Sequence, residues 1–222
     1  RGRMSILPIL AARVVMRKLA RAGFRFVYTK GSHYFFHHPL KNRITSVPLH
    51  GGKDIGLTPP RFRADIVLVT HSHYDHANAE ALAGEPFVIT GPGEYETKGI
   101  SVRGIETFHD AAGGKERGMN TIYRIEVEDV SILHMGDFGE DEMRAETLDE
   151  AGDVDILMIP VGGKYTIDSS EAAKIVKQIE PKIVIPMHYK IPGLTVALDG
   201  VEAFLKEMGA SKAEPQEKLT IK

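Results

Sequence analysis

The sequence THSHYDH, residues 70–76, places three histidines and one aspartate within six positions. The four residues follow the pattern H-x-H-x-D-H and are His71, His73, Asp75 and His76. They come at the end of ADIVLVT (64–70), an apolar run that predicts a strand buried on both faces. Ligand sites of α/β sheets favour the carboxyl ends of such strands. Because imidazole and carboxylate bind zinc and harder ions such as manganese, the stretch predicts a metal site at a sheet edge.

Further candidate ligands lie near the ends of other predicted strands. His109 follows GIETF, Asp137 closes HMGD, and His188 follows IVIPM. A carboxylate placed directly after a strand can bridge two ions, as two-metal hydrolytic sites require. His134 lies inside its strand three residues before Asp137, so we interpret it as a core or supporting residue and not as a ligand.

The composition excludes several classes of protein. The chain has 222 residues, 42% of them hydrophobic, which is enough for one large domain or two small ones. It has no cysteine, which excludes a disulfide framework and a thiolate metal site. Its apolar runs are too short to span a bilayer, and its first residues do not resemble a signal peptide. We therefore expect a cytoplasmic protein with no membrane partner.

The charges divide the chain into two parts. Residues 1–53 contain eleven Lys and Arg and no acid, whereas residues 54–222 contain the other seventeen bases and all thirty acids. Such an asymmetry indicates segments with different partners or origins. The basic part can meet phosphate, so RNA is a candidate partner of residues 1–53.

The pattern of elements changes near Gly56. Before it, ILAARVVMRKLARA (9–22) predicts a helix, FRFVYTK a strand, and HYFFHH, PLKN and RITSVPL a hairpin over 33–48. After it, buried strands alternate with helices, which indicates a layered α/β fold. The predicted helices are ANAEALAG, DSSEAAKIVKQIEP and DGVEAFLKEMG; GPGEYETKG is interpreted as a turn and EKLTIK as a last strand. We therefore expect two segments, 1–56 and 57–222.

Residues 57–222 resemble the metallo-β-lactamase fold superfamily, and most of all its ascorbate-phosphate-lactonase-like branch. The resemblance rests on THSHYDH, GPGEYETKG, GIETFHDAAGGKERGMN, HMGDFG, PVGGKYTID and IPMHYK, in that order. It implies an αββα sandwich with a two-metal site at one edge. By analogy, His71, His73 and His109 would hold one ion, Asp75, His76 and His188 would hold the second, and Asp137 would bridge them.

The resemblance also implies the chemistry. We expect metal-assisted hydrolysis of a small ester, lactone or phosphorylated metabolite, with two divalent ions, zinc by default and manganese or iron as alternatives. Asp75 would be catalytic, because it could orient the attacking water or carry its proton. Lys164 and Tyr165, in GGKYT, either contact an anionic group of the substrate or belong to a plain surface loop. The oligomeric state is left open.

Residues 1–56 resemble a different family, the HicA toxins, which are small ribonucleases. RKLARAGFRFVYTKGSHYFFHHP and VPLHGGKDIG carry this resemblance. It implies a helix and sheet like those of double-stranded-RNA-binding domains, with a catalytic histidine after Gly-Ser, which here is His33. The helix that normally completes the toxin fold is missing. RNA binding or cleavage through this segment is therefore the alternative function.

The junction of the two resemblances suggests a hypothesis. Metallo-β-lactamase-fold proteins carry Thr-Asp-Pro after their second strand, whereas ITSVPLH at residues 44–50 has no acid there. The toxin-like hairpin over 33–48 has roughly the length of the missing first hairpin, so it could complete the hydrolase sheet. A further alternative is a fused chain that binds metal but has no efficient substrate.

Overall fold

The computed structural model describes residues 25–30, 33–37, 55–57, 63–73, 76–127 and 130–213. The predicted helix over 9–22, the second half of the predicted hairpin and the strand EKLTIK lie outside these residues. The strands are β1 (Arg25–Lys30), β2 (His33–His37), β3 (Ile66–Leu68), β4 (Phe87–Ile89), β5 (Gly93–Thr97), β6 (Ile100–Phe108), β7 (Met119–Val127), β8 (Val130–His134), β9 (Ile156–Pro160) and β10 (Ile183–Met187). The α-helices are α1 (Ala145–Ala151), α2 (Ser169–Ile179) and α3 (Glu202–Glu207).

A six-stranded mixed sheet with the order β10-β9-β8-β7-β6-β5 forms the centre of the fold. The strands from β5 to β8 are antiparallel neighbours, and β8, β9 and β10 run parallel to one another. Every residue of β9 is buried, as expected of a parallel strand with both faces covered. β3 and β4 form a separate parallel pair, and β1 and β2 form an antiparallel pair.

Both faces of the sheet are covered, because each face packs against its own hydrophobic core. Adjacent residues of one strand therefore belong to different cores. Ile122 and Tyr123 are adjacent on β7 and fully buried. Ile122 belongs to the core formed with α1, α2 and α3, and Tyr123 to the core formed with β3 and β4. The Tyr123 hydroxyl donates to the Val69 carbonyl at 2.7 Å, which fixes the end of β3, just before His71, against the sheet. The described chain is therefore a layered α/β structure, as predicted.

Most predicted elements are confirmed, and α2 begins as its sequence indicates. The Asp168 carboxylate accepts from the backbone N–H groups of Ser170 and Glu171, and the Glu171 carboxylate accepts from the N–H of Asp168. This reciprocal arrangement is a capping box, which satisfies donors that the first turn leaves free.

Two predictions about local structure are wrong. ANAEALAG is not a helix: only Ala79–Ala81 form one 3₁₀ turn, and the Asn78 side chain does not cap it. GPGEYETKG is not simply a turn, because β5 occupies most of it and pairs with β6. The turn is confined to Lys98 and Gly99, whose φ angles of 53° and 74° are those of a tight two-residue hairpin loop. Helix α1 was not predicted.

Candidate metal centre

The His-rich loop begins directly after β3 and folds back on itself. The backbone N–H groups of His76 and Ala77 both donate to the His73 carbonyl, at 2.9 and 3.0 Å. His71 is buried, His76 is half-buried and His73 is exposed. The Thr70 carbonyl accepts from the N–H of Thr121 on β7 at 2.7 Å, so the loop is fixed to the central sheet.

His109 follows β6 and is buried against the turn that carries Asp137. Its N–H donates to the Gly118 carbonyl at 3.0 Å, and Gly139 N–H donates to Phe108 at 2.9 Å. A Cβ added at Gly139 would lie 2.4 Å from the His109 carbonyl carbon. Only glycine therefore lets the two segments approach this closely.

Asp137 and His188 follow β8 and β10. Asp137 is buried, and its N–H donates to the Asn120 side-chain oxygen at 3.0 Å. His188 has a left-handed backbone with φ of 52°, a rare conformation for a residue with a side chain. A Cβ at Gly162 would lie 2.0 Å from the His188 carbonyl oxygen, so the loop after β9 packs directly on this backbone. Non-glycine backbone of this kind clusters at functional sites.

These segments bring four imidazoles around one carboxylate oxygen, Oδ2 of Asp137. The Nε2 atoms of His109 and His188 lie 3.5 Å from it, and those of His71 and His76 lie 3.7 Å from it. All four distances exceed those of an N–H···O hydrogen bond, about 2.7–3.2 Å. Nitrogen and oxygen atoms that converge without bonding one another leave room for a cation between them.

The electrostatics of the centre suit a metal ion. Burial of His71 lowers its pKa to about 3, and burial also lowers the pKa of His109. Both rings are therefore neutral at pH 7, the form that binds metal. Burial by itself would raise the pKa of Asp137, but the surrounding imidazoles, led by His188 and His76, hold it below its usual range. The carboxylate is therefore ionised.

A buried imidazole nitrogen without a hydrogen-bond partner also suits a metal ion. Nε2 of His71 is buried and has no hydrogen-bond partner in the described part of the chain, whereas its Nδ1 lies 2.9 Å from the Thr70 hydroxyl. A proton on Nδ1 would leave the Nε2 lone pair free for a cation. The chain has two groups of three possible ligands, and within each group the donor atoms lie within 4.8 Å of one another. One group is His71, His73 and His109, and the other is His71, His76 and Asp137. The residues present therefore fit one or more divalent ions.

The other predicted residues have varied positions. Asp75 lies outside the described residues. Lys164 and Tyr165 are exposed in the loop after β9, and His33 is the first residue of β2. His134 is not among the converging ligands: it is half-buried on β8, and its Nδ1 accepts from the Gly136 N–H at 3.1 Å.

Sequence reasoning missed two residues that organise the centre. Asn120 is buried and bonds to the Asp137 turn. The Asp110 carboxylate accepts from four backbone N–H groups of the loop after His109, at 2.7–3.1 Å, those of Ala112, Gly114, Glu116 and Arg117. Their sequence signal was weak, because single Asn and Asp residues within a few positions of a glycine also mark ordinary turns.

The layered α/β fold and the histidine-aspartate cluster at its strand ends define a metal-dependent hydrolase of the metallo-β-lactamase type. The β-lactamase superfamily domain matches residues 27–188, and the chain belongs to that family. A UPF0173 metal-dependent hydrolase of Thermococcus onnurineus is 30% identical over 79% of this chain and 84% of its own length. One of Pyrococcus horikoshii is 29% identical over 78% and 85%.

Solved structures agree. A protein of Thermotoga maritima assigned as a Zn-dependent hydrolase of the metallo-β-lactamase superfamily is 31% identical, with a TM-score of 0.65 over 82% of this chain and 84% of its own. A Parabacteroides distasonis protein at 20% identity, with a TM-score of 0.60 over 86% and 91% of the two chains, supports the fold. The chain is thus a metal-dependent hydrolase. The narrower resemblances, to the ascorbate-phosphate-lactonase-like branch and to HicA toxins, stay predictions.

Within the described ranges, each helix is too short or too polar to cross a bilayer.

Proposed function

We propose that the chain hydrolyses a small ester, lactone or phosphorylated metabolite at a binuclear metal site, like the ascorbate-phosphate-lactonase-like branch. The observation that carries the proposal is the convergence of four imidazole Nε2 atoms on one Asp137 oxygen at 3.5–3.7 Å. One ion is assigned to His71, His73 and His109, and the second to Asp75, His76 and His188. Asp137 is shared. Zinc is the proposed metal, because the ligands are mainly imidazoles, and manganese and iron are the alternatives.

The residues of the proposed site have different roles. A bound divalent ion supplies Lewis acidity and lowers the pKa of water toward neutrality. Neutral His71 and His109 would present lone pairs to such an ion, and ionised Asp137 would supply negative charge. We assign Asp75, which follows His73 in the motif, to orienting the attacking water and accepting its proton.

A cationic rim beside the centre favours an anionic substrate. The Arg117 guanidinium donates to the Lys164 carbonyl at 3.2 Å and lies 5.9 Å from the centre of the Tyr165 ring. Arg117 directly precedes Gly118, which bonds to His109, and Lys164 lies two residues after Gly162, which packs on the His188 backbone. The rim therefore joins loops from both sides of the metal centre. Its cations suit a phosphate or carboxylate of the substrate.

The decisive experiment measures the metal content of the purified full chain and of Asp137→Ala by elemental analysis. We expect about two ions per wild-type chain and clear loss in the variant, because the shared ligand is gone. Asp149→Ala, which removes an exposed acid of α1, is the control and should retain the metal. Wild-type protein that stays free of metal after incubation with zinc and with manganese would refute the proposal.

A metal-loaded wild type justifies a second experiment, the screening of lactones, phosphoesters and thioesters as substrates, with and without chelator. Inactivity on all of them would favour a metal-binding chain without an efficient substrate.

A second candidate function is RNA binding or cleavage through the basic segment, with His33 as the catalytic residue. The observation that favours it is the presence of eleven bases and no acid in residues 1–53. RNA affinity carried by these charges should fall by orders of magnitude between about 50 and 200 mM salt, because bound counterions are released. Weak binding at low salt, or binding indifferent to salt, would exclude this function.

A further inference from the structure

Asn120, the second residue of β7, makes an unusually complete set of side-chain hydrogen bonds. Its side-chain NH₂ donates to the Thr107 hydroxyl and to the Met135 carbonyl, both at 2.9 Å. Its side-chain oxygen accepts from the Asp137 N–H at 3.0 Å. The residue exposes only 1% of its surface, so water cannot replace these partners. A buried amide is costly unless it is paired, and this one is paired at both ends.

The partners belong to the segments that carry metal ligands. Thr107 lies opposite Asn120 on β6, two residues before His109, and its hydroxyl also donates to the Asn120 carbonyl at 3.1 Å. Met135 and Asp137 belong to the segment after β8, in which the Met135 N–H still donates to the Met158 carbonyl on β9 at 3.0 Å. The next residue on β7, Thr121, donates its N–H to Thr70, directly before His71. The segments of His71, His109 and Asp137 therefore meet at residues 120 and 121.

The packing leaves little freedom at this point. A Cβ at Gly136 would lie 2.5 Å from the side-chain oxygen of Asn120 and 2.8 Å from Cβ of Thr70. The Asp137 turn thus touches both β7 and the His-rich loop. Without the amide, the Met135 carbonyl and the Asp137 N–H would be buried and unsatisfied, so the turn would have to move to find other partners.

We propose that Asn120 is the positioning residue of the metal centre: its amide sets the distance between Asp137 and His109 and so determines metal affinity. The inference rests on the proposed function, because it assumes that these residues hold an ion. Residues that orient metal ligands typically contribute about 10- to 100-fold to metal affinity or activity. An asparagine that only stabilised the fold would not affect the affinity of the folded protein in this way.

The test compares zinc affinity with the stability of the metal-free protein. Zinc dissociation constants are measured by competition with a chelator, and apoprotein stability by urea unfolding, for full-length wild type, Asn120→Ala, Thr107→Val and Thr107→Ser. Thr147→Val, in α1, is the control, since it removes the hydroxyl of another buried threonine outside the centre. Thr107→Val removes the hydroxyl that accepts from the Asn120 amide and keeps the shape of the threonine side chain. Thr107→Ser keeps the hydroxyl.

We expect Asn120→Ala to bind zinc about 10- to 100-fold more weakly, with Thr107→Val weakened in the same direction. Thr107→Ser and Thr147→Val should bind like the wild type. Wild-type affinity in Asn120→Ala and Thr107→Val, whatever their stability, would overturn the inference and leave the proposed function intact. If Asn120→Ala does not fold, the zinc affinities of Thr107→Val and Thr107→Ser test the inference: weaker binding in Thr107→Val alone supports it, and wild-type binding in both overturns it. Wild-type protein that binds neither zinc nor manganese would overturn both proposals.

Discussion

At the scale of single residues, the centre combines charge with tight packing. The Asp137 carboxylate is buried and ionised, and burial makes an unpaired charge costly. Two of the four imidazoles around it, those of His71 and His109, are themselves held neutral by burial, so they do not neutralise it at pH 7. A divalent cation would place positive charge directly beside the carboxylate. The acid and its neighbours are therefore better explained as a binding site than as a set of ion pairs.

Gly136 offers a test of that packing. Its φ is +57°, and an added Cβ would meet Asn120 and Thr70 at under 3 Å. Gly136→Ala should destabilise the protein by roughly 3 kcal/mol, from left-handed strain plus steric overlap, and should weaken metal binding. Gly113→Ala is the matched control, because Gly113 also has positive φ, +70°, but has no atom within 4 Å of the added Cβ. It should lose only about 1–2 kcal/mol in urea unfolding. Equal losses in the two variants would mean that close packing at Gly136 does not matter.

At the scale of elements, the loop after β6 is held by one carboxylate. Burial alone would raise the pKa of Asp110, but four backbone N–H groups, beginning with that of Arg117, hold the pKa below its usual range. The folded state therefore binds this proton less readily than the unfolded state. The charged carboxylate stabilises the fold above the ordinary Asp pKa of about 4, and the stabilisation is lost as pH falls through the lowered value.

Asp110→Asn should accordingly lower the melting temperature in a pH-dependent way. The amide keeps one oxygen as an acceptor but replaces the other with a donor that faces N–H groups. Thermal unfolding of the two proteins between pH 7 and pH 3, both with chelator present, should show a constant gap above about pH 5 that narrows at lower pH. Asp141→Asn, an exposed acid, should show no such gap. A gap of the same size across the whole range would contradict the role given to the charge.

How far sequence predicts an element depends on where its stability comes from. β6, β9 and α2 have a long hydrophobic pattern or a capping box, and the structure has them where the sequence predicts. β5 has no clear pattern, since it is a short edge strand stabilised by pairing with β6. The 3₁₀ turn at Ala79–Ala81 replaces the predicted helix because a segment as short as ANAEALAG does not form a stable helix by itself.

The same limit applies to the site. Histidines in a dense motif can be recognised without a fold, and the structure brings His71, His73 and His76 together with His109, Asp137 and His188. Asn120 could not be found in this way. Its role depends on β6 and the turn after β8 packing on either side of β7, and that is a long-range property of the sheet.

At the level of the whole chain, the candidate metal centre contains residues from both sides of the central sheet. His71 follows β3 on one side of the central sheet, whereas His188 follows β10, which packs against the helices. A ligand that binds only the folded chain stabilises it by mass action, about 2.7 kcal/mol at one hundred times its dissociation constant.

Zinc should therefore raise the melting temperature of chelator-treated protein, and the rise should grow with zinc concentration. Asp137→Ala should lose most of this response, whereas Asp149→Ala should keep it. Calorimetry with a zinc titration measures the effect. An equal response in Asp137→Ala would show that zinc stabilises the protein through another site.

The two sequence segments, 1–56 and 57–222, meet at residues 55–57, which the structure describes. The family match begins at residue 27, so it includes β2 and most of β1. Ile55 is buried, its carbonyl accepts from the Thr195 N–H at 3.0 Å, and a Cβ at Gly56 would lie 2.1 Å from the Gly193 carbonyl. A segment packed in this way does not behave as a free linker. Among the described strands, however, β1 and β2 pair with each other and not with the six-stranded sheet. The hypothesis that the hairpin over 33–48 completes the hydrolase sheet therefore stays a prediction.

Limited proteolysis tests that hypothesis, because proteases cut where the backbone is exposed and can unfold locally. We expect residues 55–57 to resist cleavage under native conditions, and removal of residues 1–56 to leave a chain that aggregates or unfolds at lower temperature. Cleavage at an exposed glycine such as Gly113 serves as the positive control for protease access. Mass spectrometry of the early fragments identifies the sites. Early cleavage near Gly56 that released a stable, metal-binding 57–222 fragment would show instead that the two segments are separate domains.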